Sequence, residues 1–435
     1  MNECLPEIID YILAWVSDID RIQFAMTCHL NYELWMWTPR TYPILEANNL
    51  TITHRLRRVK NLYGALAHAL KQQKILSIPY PLCEKLVFSD KTPKINLHHM
   101  CRQLDIKLRI FSNDMYVHSF IAKSSHNRKQ YFIMQVSAYP NKTSDTLNPF
   151  NVGIQIMTLL CGLVYRRLTS HIVLPITYFT INTTEFRQYH DLNNLHPEFH
   201  AFISKISTVD NKFVPVLLHE SANNLLSDHI TVNKSNVKFW TVILFQILYT
   251  LAIIQHQLPT FRHNKLNPKT IVVSKWYSND KVKYRYFLDG QTFILPNIDY
   301  IAKIGYFDWA SIENPSLLDE MTNLVCPKNP TVKSESTYIS NPHVRNLICD
   351  NSELPGDFWT RQNQYYDIHY FLLQLSQYTI PSKIQHFVAR ILSCWDTPGM
   401  MHVSPDGRLV VNIEHTTPRR ILLTDELFKS FLEKE

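Results

Sequence analysis

Residues 239–255 read FWTVILFQILYTLAIIQ, and no other stretch restricts the fold so severely. A helix built from them is apolar on every side, so it cannot lie on a wet surface with one face exposed. It must be wrapped either by lipid or by the rest of the protein. Seventeen residues is the short end of a membrane span, and Gln246 interrupts the run. Length and polarity therefore predict a buried core helix and no membrane span. The chain has the material to wrap it: 435 residues, 45 % apolar and 19 % charged. Those are ordinary globular values, and they leave room for a two-lobed domain plus something smaller.

The order of the remaining elements limits what surrounds that helix. Residues 107–123 and 129–140 carry the aromatic and β-branched residues of strands, as does FVPVLLHES at 213–221. NVGIQIMTLLCGLVYRRL (151–168) and QYYDIHYFLLQLSQY (364–378) read as helices, and 286–310 as a turn region. Strands come first and helices dominate later, an α+β order. Residues 52–74 form an amphipathic stretch with Leu56, Val59, Tyr63, Leu66 and Leu70 at helical spacing. Arg55, Arg57, Arg58 and Lys60 cluster at its start and are expected on a solvated face.

Composition removes several function classes. There are eight glycines, and none lies between Gly64 and Gly153. A glycine-rich phosphate cradle in that window is therefore excluded. The eight cysteines are scattered without a C-x-x-C pair, which argues against a zinc module or a disulfide framework and for reduced thiols in a cytoplasmic setting. Net charge is +7 (44 Lys+Arg minus 37 Asp+Glu), spread along the chain, and does not mark a nucleic-acid surface. His196 and His200 are four apart but have no third ligand nearby in sequence, so no metal site is expected.

The first 48 residues are helical in pattern. Leu5 and Pro6, Ile8, Ile12, Asp20, Cys28 and Trp35 occur in an order that resembles an F-box, the short helical module that docks on the adaptor subunit of cullin ubiquitin ligases. That resemblance implies a protein partner, the ligase adaptor, contacted through Leu5, Pro6, Ile8, Ile12 and Trp35. The expected organisation is an F-box-like helical module at 1–48, a helical linker at 49–99 and a main domain at 100–435.

The main domain has a more specific signature. FRHNKLNPKTIVV (261–273) follows the long apolar helix and resembles the protein-kinase catalytic loop H-R-D-L-K-P-x-N-I-L-V. AKIGYFDWAS (302–311) stands where a kinase carries its metal-binding motif, and Asp367 matches the helix aspartate that braces the catalytic loop. VPVLLHESANNLLSDHI (214–230) resembles the hinge strand and its continuation. In order and spacing the chain is similar to the divergent kinases of large DNA viruses. The resemblance implies a two-lobed kinase-like fold, with a small β-rich lobe at about 100–218 and a helical lobe at about 219–435. It also implies a structural role for His263.

The working positions differ from the pattern. Gln135 stands for the strand lysine and Gly153 for the helix glutamate that holds it. Lys265 replaces the proton-accepting aspartate, and a protonated amine accepts no proton. Thr270 and Tyr306 replace the two oxygen ligands of magnesium. Asp308 is the nearest acid, two residues beyond Tyr306. Loss of all these parts predicts a protein that is not an enzyme: a pseudokinase acting as a binding or scaffold protein, without cofactor or metal. Recruitment of a ubiquitin ligase is the expected use of the N-terminal helices. The alternatives are an atypical active serine/threonine kinase relying on Asp308, and a structural virion scaffold.

Overall fold

A computed structural model describes residues 47–69, 92–103, 106–113, 117–124, 131–139, 148–189, 212–220, 224–259, 261–275, 284–310, 366–393 and 417–433, with a few positions between them. In chain order the principal elements are α1 (Ala47–Ala69), β1 (Leu76–Ser77), β2 (Lys94–Ile95), α2 (Leu97–Gln103), β3 (Ile106–Asn113), β4 (Val117–Ser124), β5 (Tyr131–Ser137), α3 (Pro149–Tyr165), β6 (Pro175–Asn182), α4 (Thr183–Tyr189) and β7 (Phe213–Glu220). There follow β8 (Asn224–Leu225), α5 (Leu226–Ile230), α6 (Val237–Gln257), β9 (Ile271–Lys275), β10 (Tyr284–Leu288), β11 (Gln291–Leu295), β12 (Tyr300–Ile304), α7 (Tyr366–Ser376), α8 (Ser382–Ser393), α9 (Pro418–Thr424) and α10 (Glu426–Lys429). The mixture is α+β. The F-box-like segment, with Leu5, Pro6, Ile8, Ile12 and Trp35, lies outside the described residues.

Six strands form one sheet in the order β1-β6-β7-β5-β4-β3, with antiparallel neighbours, and β2 adds to β6 in parallel. Central strands β6 and β7 are buried along almost their whole length. That is why neither sequence, PITYFTIN or FVPVLLHE, alternates strictly between apolar and polar residues. Helix α3 is buried nearly all round. Pro149 opens it, and the Asn148 side chain caps it by accepting from the Phe150 N–H at 3.0 Å.

The apolar run of 239–255 is the middle of α6, a helix long and apolar enough to cross a membrane but 83 % buried within the fold over its most apolar window. The Asn236 side chain caps its start by accepting from Phe239 N at 3.1 Å. Strand β12 and helices α8, α9 and α10 pack on it. Its one interruption is used: Gln246 Oε1 accepts the Ala302 N–H of β12 at 2.9 Å.

Two expectations need correction. The stretch before the catalytic loop's partner strand is more than a turn region: β10 and β11 form a hairpin, closed by Asp289 and Gly290, both with positive φ. An Asp-Gly pair is what a two-residue primed turn demands. Second, α1 does not keep all of its clustered cations on a solvated face: Lys60 is exposed and Arg57 and Arg58 are half-buried, but Arg55 is buried. Its buried stripe is Ile52, Arg55, Val59, Leu62 and Leu66, one register away from the predicted one. Arg55 is thus carried inward, against Glu220 at the end of β7.

Candidate functional site: the loop between α6 and β9

The loop after α6 is held by its backbone. Asp367, on the first turn of α7, is buried; its Oδ2 accepts the His263 N–H at 2.7 Å and its Oδ1 the Asn264 N–H at 2.9 Å. A carboxylate is suited to this because it offers two acceptors and no donor. Asn264 adopts φ 61°, a left-handed conformation that asparagine tolerates better than most residues. Its side-chain amide donates to the Trp309 carbonyl at 2.9 Å, tying the loop to the turn after β12.

His263 makes the second tie. Its Nε2 lies 2.8 Å from the Gly305 carbonyl. A carbonyl only accepts, so that nitrogen carries the proton. Burial drives its pKa down to about 4, which keeps the ring neutral at physiological pH despite the carbonyl bond.

Thr270 closes the loop from the other side. Its hydroxyl lies within donating distance of the Lys265 carbonyl (3.1 Å) and the Asn267 carbonyl (3.0 Å), and accepts the Asn267 N–H at 3.0 Å. The Asn267 side chain donates to the Lys265 carbonyl and accepts from the Lys269 N–H, at 3.0 and 2.8 Å. The shape of the loop at Lys265 is thus fixed by short polar side chains rather than by Lys265 itself. The Lys265 ammonium lies 4.5 Å from the centroid of the Trp309 ring, a cation–π contact.

The turn after β12 places the remaining residues. Tyr306 takes φ 62° and ψ 58°, and Phe307–Trp309 form one 3₁₀ turn. Left-handed geometry is uncommon for a bulky residue and costs of order 1–3 kcal/mol. The surroundings hold it. The Gly305 carbonyl is bonded to His263, and the buried Phe307 ring lies 5.3 Å from the His263 ring. Asp308 is buried, and its Oδ2 accepts the Tyr139 hydroxyl at 2.9 Å.

Gly153 has a reason to be glycine. A Cβ there would lie 2.7 Å from Asp308 N, 2.8 Å from Asp308 Cα and 2.9 Å from the Phe307 carbonyl carbon. Helix α3 therefore runs against the backbone of the turn, and no side chain fits at the position matched to a glutamate. Gln135, on β5, is buried with its amide nitrogen 3.4 Å from Ser119 Oγ across the strand pair. The described parts of β3 and β4 contain no glycine.

Sequence reasoning missed a buried charge cluster beneath this turn. Glu220 accepts both from the Arg55 guanidinium and from the Leu174 N–H (3.0 Å), and its Oε2 is 3.3 Å from the Lys303 ammonium. Burial alone would raise the Glu220 carboxyl, but the charges of Arg55 and Lys303 and the bonds it accepts bring it down to about 2. For Lys303 burial wins over the attraction of Glu220, and its pKa falls to about 8. The same burial lowers neighbouring His171 to about 3 and His219 to about 4. The available signal was one lysine inside the apolar strand YIAKI and one glutamate ending FVPVLLHE.

Among the described residues no group of three or more His, Cys, Asp or Glu is arranged to hold a metal ion. The donors at the two matched positions fit a divalent ion poorly. The Thr270 hydroxyl is engaged with two loop carbonyls, Tyr306 offers a phenol, and Lys265, five residues before Thr270, adds a cation to the same loop.

No protein-family model matches the chain. Two proteins of Acanthamoeba polyphaga mimivirus, each named "Putative serine/threonine-protein kinase", are similar to it. One is 30 % identical over 379 residues, covering 79 % of this chain and 74 % of that protein. The other is 39 % identical over 118 residues, 25 % of this chain and 28 % of that protein. These relatives overturn the expectation that the chain is not an enzyme, which rested on residue identities at the matched positions alone; both names point toward an enzyme. With 30 % identity across most of both lengths, the chain belongs to the viral serine/threonine-protein-kinase-like family.

Proposed function

We propose that the chain is an atypical serine/threonine protein kinase, transferring a phosphoryl group from a nucleoside triphosphate to a protein hydroxyl. The observation that carries this reading is the bracing of the loop and the turn against each other. Asp367 holds His263 and Asn264, His263 holds Gly305, and Asn264 holds Trp309. A loop this restrained keeps Lys265 and Asp308 in set positions, and phosphoryl transfer depends mainly on positioning and on charge.

The arithmetic allows unusual residues. Transfer runs through a loose transition state that asks little of a base. Losing a general base typically costs about 10²–10⁴ in rate, against total accelerations of about 10⁶ and more. In this reading Lys265, seated over Trp309, supplies positive charge to the moving phosphoryl oxygens. Asp308, oriented by the Tyr139 hydroxyl, is the carboxylate that accepts a hydrogen bond from the substrate hydroxyl. No step is assigned to a divalent ion, because the donors at Thr270 and Tyr306 do not suit one.

The test is transfer of labelled γ-phosphate by the full-length chain to mixed protein substrates, with magnesium and with chelator, beside Asp308→Asn and Lys265→Met. Transfer by the parent, reduced about 100-fold or more in each variant, is expected. A parent that transfers no more label than the two variants, in either buffer, refutes the proposal.

A further inference from the structure

Helix α1 precedes the region that resembles a kinase, yet it contributes a buried cation bonded to four acceptors. The Arg55 guanidinium binds both oxygens of Glu220 and also donates to the carbonyls of Ser170 and Ile172. The strip 170–174 is extended and uses its two edges differently. Ser170 and Ile172 turn their carbonyls to Arg55. His171 and Val173 pair with the end of β12: Ile304 N donates to the His171 carbonyl at 2.8 Å, and Val173 N donates to the Ile304 carbonyl at 3.0 Å. At its far end the strip is bonded to the hinge strand in both directions: Glu220 N donates to the Leu174 carbonyl at 2.8 Å, and Leu174 N donates to the Glu220 carboxylate at 3.0 Å. Ile304 is two residues from Tyr306 and four from Asp308.

We infer that Arg55 is a positioning residue for the turn after β12. Through the strip 170–174 it sets the end of β12 and the turn carrying Tyr306 and Asp308, and through Glu220 it sets the end of the hinge strand. One planar, five-donor group joins four acceptors on two segments that flank the proposed site, a task that a lysine's compact ammonium cannot copy. Helix α1 is thereby a strap on that turn, and movement of α1 moves the turn. The activity arm of the test rests on the kinase reading; the exchange arm does not.

The experiment compares parent, Arg55→Met and Arg55→Lys by peptide-level hydrogen exchange and by steady-state kinetics. Arg55→Met is expected to raise exchange about tenfold or more in peptides covering 170–174 and 301–309, while peptides of α8 stay at parental rates. Arg55→Lys should restore protection only in part. In the kinetic arm the KM for nucleotide rises several-fold more than kcat falls. Exchange that rises uniformly, α8 included, or that leaves 301–309 unchanged, overturns the inference. If Arg55→Met does not fold, Glu220→Gln, which keeps the shape and removes the charge, is read in its place against the same two outcomes. If exchange responds as expected but no variant, nor the parent, transfers phosphate, the strap stands and the kinase reading falls.

Discussion

Replacing Gly153 by alanine sets two effects of known sign against each other. Alanine is the better helix former by about 1 kcal/mol in a helix interior. The added Cβ, however, meets three backbone atoms of Phe307 and Asp308 at 2.7–2.9 Å. Ordinary contact begins near 3.5 Å, so either α3 or the 3₁₀ turn must retreat by over half an ångström. Neither is a loose partner. The turn is tied through Gly305 to His263 and through Trp309 to Asn264, and α3 is buried nearly all round. Overpacking of this kind typically costs about 1–3 kcal/mol. With backbone as the obstacle the upper end applies, and the net expectation is a loss of about 1–2 kcal/mol. Gly64 provides the control. It lies within α1, exposed, with nothing within 4 Å of its would-be Cβ, so Gly64→Ala should stabilise by about 0.5–1 kcal/mol. Urea midpoints at constant m-value read both changes. Equal stabilisation by the two substitutions would falsify the close approach of α3 to the turn. A glutamate at 153, which would rebuild the usual kinase pattern, should be worse than alanine.

Two further outcomes follow from the buried carboxylates. Asp367→Asn places a donor where one of two backbone N–H groups now finds an acceptor, and should cost about 3 kcal/mol in urea unfolding; a loss under about 0.5 kcal/mol would mean the brace is dispensable. The cluster at Glu220 has a definite pH signature. The Glu220 pKa of about 2 lies below its ordinary value, so its stabilisation is complete above about pH 4.5 and is lost as pH falls toward 2. The Lys303 pKa of about 8 is also depressed, so the folded chain holds fewer protons than the unfolded one between about 8 and 10.5. Stability contributed by this group therefore rises across that alkaline window. Lys303→Met should remove the alkaline rise and leave neutral-pH stability equal or higher, whereas a loss of about 3 kcal/mol or more would show Lys303 to be an essential partner.

Much of the fold was legible because its elements are strongly patterned. The apolar run 239–255 lies within a helix spanning Val237–Gln257, and FVPVLLHES within a strand spanning Phe213–Glu220. Catalytic-loop order and spacing pointed to the family that the mimivirus relatives establish. What escaped was long-range. The periodicity of α1 gave a stripe one register off, because hydropathy counts Arg55 as a surface residue and its partner Glu220 lies 165 positions away. Gly153 was read as a missing glutamate, since sequence cannot reveal that another backbone occupies the space. The functional error was of the same sort. Counting absent acids one residue at a time gives no weight to the bracing of the loop, of which the sequence shows only Asp367 and His263; that their partners are the main-chain groups of His263, Asn264 and Gly305 is visible only in the structure.

The buried α6 also bears on how the chain is made. Its last residue, Gln257, precedes Pro418, the start of the helix pair that covers it, by about 160 residues (418 minus 257). Phe428 and Phe431, whose rings each lie 5.8 Å from that of Phe245, come later still. At about 5–20 residues per second of synthesis, a segment apolar enough to enter a bilayer waits roughly 8–30 s for its cover. During that interval, the nascent chain needs a chaperone more than the finished protein does.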